Sequence, residues 1–173
     1  MEDGLKGVNL ENIIFTPEQL DAIFSSLYKI SSLNMEEVDL SGVSPMLFTS
    51  AAKLSELHIS DTMLTQEQIA SIWTAFKNNT ESDIKSISMS GINLESVEVE
   101  ALVKVANKLC KIELSNTELT DEQITALVSS LRENQEIQEV DLSDNTLTGV
   151  DPDFLATVLI FISEMHTLII DER

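Results

Sequence analysis

The sequence predicts an α/β fold in which short parallel strands alternate with helices along a stacked array. Two observations carry that expectation. The first is a recurring phrase. Leu57-His58-Ile59-Ser60-Asp61-Thr62-Met63-Leu64-Thr65, Ile112-Glu113-Leu114-Ser115-Asn116-Thr117-Glu118-Leu119-Thr120 and Val140-Asp141-Leu142-Ser143-Asp144-Asn145-Thr146-Leu147-Thr148 all read apolar-x-apolar-Ser, a polar pair, then x-Leu-Thr. A unit that recurs in this way buries its core between neighbouring copies. The second is a helix-start signal, Thr-x-Glu-Gln, at Thr16, Thr65 and Thr120. Each can form a capping box, with the Thr hydroxyl accepting from the third helical N–H and the Gln reaching back.

Taken in chain order, the template apolar-x-x-apolar-x-apolar begins at Leu5, Met35, Leu54, Ile84, Leu109, Ile137 and Met165. The spacings are 30, 19, 30, 25, 28 and 28 residues, so the second unit is the anomaly. The inward strand pairs are Val8/Leu10, Val38/Leu40, Leu57/Ile59, Ile87/Met89, Ile112/Leu114, Val140/Leu142 and Leu168/Ile170. Their spacing of two sends both side chains to one face. The helices follow as stripes at i, i+3, i+4, i+7: Leu20/Ile23/Phe24/Leu27, Ile69/Ile72/Trp73/Phe76 and Ile124/Leu127/Val128/Leu131. Val99, Leu102, Val103 and Ala106 supply the stripe of the fourth unit, and Trp73 is a core residue. Between Val43 and Leu54 only Ser44-Pro45 and about two turns of helix fit, which predicts a short or distorted connector. Asp151-Pro152 marks another helix start. Units two and four carry Ser41-Gly42-Val43 and Ser90-Gly91-Ile92 where the odd units carry Thr-x-Glu-Gln, which suggests a duplicated two-unit module. All of this describes one domain over residues 1–173.

These residues make the chain resemble the leucine-rich repeat proteins, most of all the ribonuclease-inhibitor-like type, which alternates two repeat flavours. The resemblance runs from Leu5 to Ile170. It implies a curved leucine-rich repeat solenoid of about seven strand–helix repeats, with a parallel sheet on the concave face and helices on the convex face. Such proteins typically bind other proteins. One departure stands out. The loop position, commonly Asn or Cys in the family, is Ile13, Val43, Thr62, Ile92, Thr117 and Asn145 here. Only Asn145 matches, so the turns are expected to be less regular.

Charge narrows the partner class. Thirty acids against ten bases give a net charge of -20. Such a surface repels nucleic acid and anionic lipid and attracts basic partners. In the predicted register the acidic face includes Glu37, Asp39, Glu56, Glu113, Glu139 and Asp141, and these six are the candidate partner-binding residues. Glu11, Asp61, Asp144, Asp171 and Glu172 extend it, and Lys111 is the base among them. The expected partner is therefore a basic protein, with no nucleic acid and no membrane.

The chemistry of catalysis is missing from the pattern. His58 and His166 stand far apart with no metal-ligand companions, and no glycine-rich phosphate loop exists. Asp141-x-Ser143-x-Asn145 opens like a calcium loop but continues with Thr146 and Pro152 where Gly and Glu are needed. The serine column Ser41, Ser60, Ser90, Ser115 and Ser143 has no base to activate it. No catalytic, cofactor or metal residues are assigned, and the chain is read as not an enzyme. One cysteine, Cys110, excludes an internal disulfide, and no apolar signal segment opens the chain. Intracellular placement, cytoplasmic rather than nuclear, is the expectation. An alternative is a leucine-rich repeat segment of a larger sensor or scaffold, acting by docking to neighbouring domains or by self-association. The run Phe154 to Ile162 is apolar on nearly every side, so Ile160 and Phe161 are the residues through which it would self-associate. The absence of a dedicated cap at either end of the array points the same way.

Overall fold

A computed structural model describes residues 7–154, 156 and the backbone of 167–169. Seven three-residue strands form one all-parallel sheet in chain order: β1 Gly7–Asn9, β2 Ser32–Asn34, β3 Glu56–His58, β4 Ser86–Ser88, β5 Lys111–Glu113, β6 Glu139–Asp141 and β7 Thr167–Ile169. The central residues Val8, Leu33, Leu57, Ile87, Ile112, Val140 and Leu168 are in register. Parallel strands need a crossover, and a helical segment follows each of β1 to β5. The helices are α1 Pro17–Ser25, α2 Gln66–Asn78, α3 Val99–Ala106 and α4 Asp121–Glu133. The second crossover is a 3₁₀ helix, Pro45–Lys53, which is the short connector expected there.

The second unit is corrected by its register. Its strand is centred on Leu33, five residues before Val38. Ile30-x-x-Leu33-x-Met35 fits the template as well as Met35-x-x-Val38-x-Leu40 does, and periodicity alone cannot choose between them. The unit therefore starts at 30 rather than 35, and spacings of 30 and 19 become 25 and 24. Val38 and Leu40 are still buried, but in the turn after the strand, where Ile92 and Leu94 sit in the fourth unit. The alternation survives in a new form. Met35-x-x-Val38-x-Leu40-x-x-Val43 corresponds to Met89-x-x-Ile92-x-Leu94-x-x-Val97, and Ser41-Gly42-Val43 does not correspond to Ser90-Gly91-Ile92.

The turns repeat closely. Four residues after each of the first six strand centres the backbone enters the left-handed region: Asn12, Glu37, Asp61, Gly91, Asn116 and Asp144, with φ between 53° and 75°. Asn, Asp and Gly tolerate this conformation, and Glu37 is the exception among them. One residue further on, the hydroxyls of Thr62 and Thr117 donate to the carbonyls of Ile59 and Leu114, at 2.7 and 2.9 Å. Threonine thus takes over much of asparagine's task in those two units, and the fifth turn departs from the rest with a second left-handed residue, Glu118 at φ 54°. Asn145 does more. Its Nδ2 donates to Leu114 O at 2.6 Å, and its Oδ1 accepts from Thr117 N at 3.0 Å.

All three capping boxes form. In α2 and α4 the capping glutamine has a second task. Gln68 is buried, and its Nε2 donates to the carbonyls of Leu40 and Val43 at 2.9 and 2.6 Å. Gln123 does the same to Leu94 and Val97, at 3.0 and 2.7 Å. At the other helix ends Asn79 donates to Ala52 O and Asn134 to Ala106 O, each at 2.8 Å. The odd units thus grip the even units before them at both ends of the helix. Leu57, Ile59, Leu114 and Leu142 lie in the core as expected, as does Trp73. In α3 the buried residues are Ala101, Leu102, Val105 and Ala106, so Val99 and Val103 lie at the margin of the stripe.

Candidate interaction surface

Because the strand centres Leu33, Leu57, Ile87, Ile112 and Val140 are buried, the residues on either side of them face away. Register then builds two rows. One runs Glu56, Ser86, Lys111, Glu139, and the other His58, Ser88, Glu113, Asp141. Four of the six predicted residues, Glu56, Glu113, Glu139 and Asp141, therefore share this face. Lys111 sits among them, 2.9 Å from Glu113 and 3.1 Å from Glu139. Burial pulls its ammonium pKa down, but the hydrogen bonds it donates to the Glu113 and Glu139 carboxylates outweigh that and hold it above the ordinary lysine range. Glu56 is separated from this cluster by the serines of β4, which is about 10 Å at two strand spacings.

Glu37 and Asp39 do not join that face, because the shift of the second unit carries them into the turn. Glu37 and Asp61 both occupy left-handed turn positions, and so does Asp144. Ser32 and Asn34 take the strand-face places, and Glu36, missed in the sequence, sits just beyond the strand and accepts from Ser88 Oγ at 3.4 Å. Ser88 in turn pairs with Ser60 at 2.6 Å, so two of these serines serve as cross-strand hydrogen-bonding groups. Asp39 Oδ1 accepts from Ser41 Oγ at 2.6 Å and Ser41 N at 2.9 Å, and these bonds hold its carboxyl below the ordinary aspartate range. The predicted contacts at Asp171, Glu172, Ile160 and Phe161 lie outside the described residues.

Parallel topology puts all the strand C-termini, and the turns that follow, on one edge of the molecule. That edge carries Glu11, Glu37, Asp39, Asp61, Glu95, Glu118, Asp121 and Asp144, and no described base. Every described base lies toward the opposite edge, where helices end and strands begin: Lys29, Lys53, Lys77, Lys85, Lys104, Lys108, Lys111 and Arg132. Part of this follows from the helix dipole, which favours acids at helix starts and bases at helix ends. Four of these bases are engaged in ion pairs, Lys77 with Glu98 and Glu100, Lys85 with Glu136, Lys104 with Glu100, and Lys111 as above.

At one end of the acidic edge is a pocket of about 400 Å³. The first unit contributes Asn12, Ile13, Ile14, Phe15, Pro17 and Leu20, and the second Glu37, Asp39, Ser41 and Gly42. Ile14 is 99% exposed and Ile13 43%. A larger groove of about 680 Å³ lies between Pro45–Lys53 and α2, lined mostly by small residues such as Ala52, Ala70, Ser71 and Ala75.

Residues 136–158 match the model of the Leucine Rich Repeat family. No curated protein matches the chain. The matched segment covers β6 and its turn, which is the one place where Asn145 fills the family's loop position. That stretch is a leucine-rich repeat, a motif that suggests a protein-interaction module. Among the described residues no group of three or more His, Cys, Asp or Glu could hold a metal ion, and no described helix is long and apolar enough to cross a membrane.

Proposed function

We propose that this chain is a leucine-rich repeat solenoid of the ribonuclease-inhibitor-like type, one domain of about seven repeats, serving as a non-enzymatic module that binds a basic protein. The observation that carries the reading is the turn edge, which holds acids and no described base and continues onto a strand face with Glu56, Glu113, Glu139 and Asp141. On the opposite edge, by contrast, the bases are mixed with acids such as Glu81, Glu133 and Glu136. A clustered field of one sign speeds encounter with the opposite sign. The alternating units and the glutamines that join them support the subtype. A half-buried lone cysteine, Cys110, suits a reducing cytoplasm.

The test is capture from cell extract at low and high salt, with Glu56 and Asp141 reversed to Lys together, against a control with Glu81 and Glu133 reversed. A basic protein that is released by salt and lost only with the first pair supports the reading. Equal loss with both pairs overturns it. Recovery of the chain itself, or of a neighbouring domain regardless of salt, points instead to the segment of a larger sensor or scaffold.

A further inference from the structure

We infer that the pocket between the first and second units is an anchor site for an arginine flanked by an apolar residue on a protein partner. The inference rests on the acidic-module reading and narrows it to one place. The pocket has two unlike walls. Ile13, Ile14 and Pro17 form an apolar wall, with Ile14 fully in solvent, and Glu37 and Asp39 form the other. An arginine suits both walls at once, because its methylene stem lies along apolar surface while its planar head pairs with carboxylates. Asp39 is prepared for this. Its Oδ1 is held by Ser41 from side chain and backbone, which fixes the carboxylate plane and leaves Oδ2 outside those two bonds. Glu37 stands in the left-handed turn position where the other units have Asn, Asp or Gly, at φ 58°. The apolar wall separates a protein partner from a simple cation, since a small polyamine gains little from Ile14. A volume of about 400 Å³ lies within the range of small-ligand sites, enough for one large side chain and its neighbour.

The experiment follows backbone amide shifts of the whole chain on titration with the capped peptide acetyl-Ala-Leu-Arg-Leu-Ala-amide. The Gln-for-Arg peptide and spermine are titrated in parallel. Shifts centred on Ile13, Ile14, Glu37 and Asp39 are expected with the Arg peptide only. Affinity should fall about tenfold in Glu37→Gln/Asp39→Asn and again in Ile14→Ser, the scale of one lost charge-assisted or apolar contact. Ile14 is so exposed that its replacement leaves folding intact, and circular dichroism of both variants checks this. Equal shifts with spermine, or an unchanged affinity in Ile14→Ser, overturn the inference by making the site purely ionic. Shifts over Glu56, Glu113 and Asp141 alone overturn the pocket and leave the acidic-module reading standing. No shift at millimolar peptide also overturns the pocket, and the charge-reversal capture then decides the broader reading by itself.

Discussion

Single residues set the turn chemistry, and three of them make sharp tests. Asp39 titrates below an ordinary aspartate because Ser41 donates to it twice. Ser41→Ala should move its pKa back toward the ordinary value, read by carboxyl carbon shifts against pH. A lowered native pKa contributes stability that is fully present above the unfolded value and is lost as pH falls through the lowered one. Glu37 is instead set by its backbone, held in the left-handed region at φ 58°. Glu37→Gly relieves a left-handed backbone and should stabilise the fold by up to about 1 kcal/mol in urea melts, although glycine's greater unfolded-state freedom offsets part of the gain. If Glu37 anchors a partner, the same variant binds worse while it folds better. Leu114, fully buried, should cost about 2–5 kcal/mol when changed to Ala, because a stacked core collapses poorly around a cavity. A loss near 0.5 kcal/mol, ordinary for surface positions, would contradict the register.

At the scale of elements, the glutamines distinguish helices that look alike in sequence. Gln19, Gln68 and Gln123 all complete capping boxes. Gln19 is exposed, whereas Gln68 and Gln123 also satisfy turn carbonyls of the unit before. Gln19→Ala should cost about 1 kcal/mol, the worth of a cap. Gln123→Ala should cost at least about 2 kcal/mol, since buried carbonyls lose their donor. Equal losses in thermal or urea unfolding would show that the reach-back contributes nothing. This is also where the limits of sequence reading are plain. The capping boxes, helix stripes and most strand pairs were legible because each depends on local spacing. The second strand was not, because two overlapping apolar patterns satisfy the same template and only pairing with Val8 and Leu57 decides between them. That slip displaced Glu37 and Asp39 and concealed Glu36. The other four candidate residues were placed on the strand face correctly, but their pairing with Lys111 needed coordinates. The pocket was hidden too, since Ile13 and Ile14 read as loop residues until the second unit's turn lies beside them.

For the whole molecule, the divided charge predicts an ionic-strength signature. The Debye length is about 8 Å at physiological salt and about 30 Å at 0.01 M. Exposed acids on neighbouring turns therefore act together at low salt and separately at high salt. Association with a basic protein should slow steeply as salt rises, while the dissociation rate changes less, in stopped-flow or surface-binding kinetics. Lys111→Ala should speed association, because it frees Glu113 and Glu139. A dissociation rate that carries the whole salt effect would argue against steering by the turn edge.

The amide grips at Gln68, Asn79, Gln123 and Asn134 have a mechanical consequence. They weld the second unit to the third and the fourth to the fifth with buried hydrogen bonds. Behind the sheet, α2 packs on α3 across the boundary between the third and fourth, but the polar links there are exposed or part-buried: Lys77 to Glu98 and Glu100, Gln66 to Asn93, and Lys108 to Asn79. Water and salt compete with those and not with the buried amides. The array is thus a chain of paired blocks with a softer hinge at its middle. Under load, or in rare native-state openings seen by hydrogen exchange, it should part first between Asn78 and Ser86, releasing two intact halves before either half unravels.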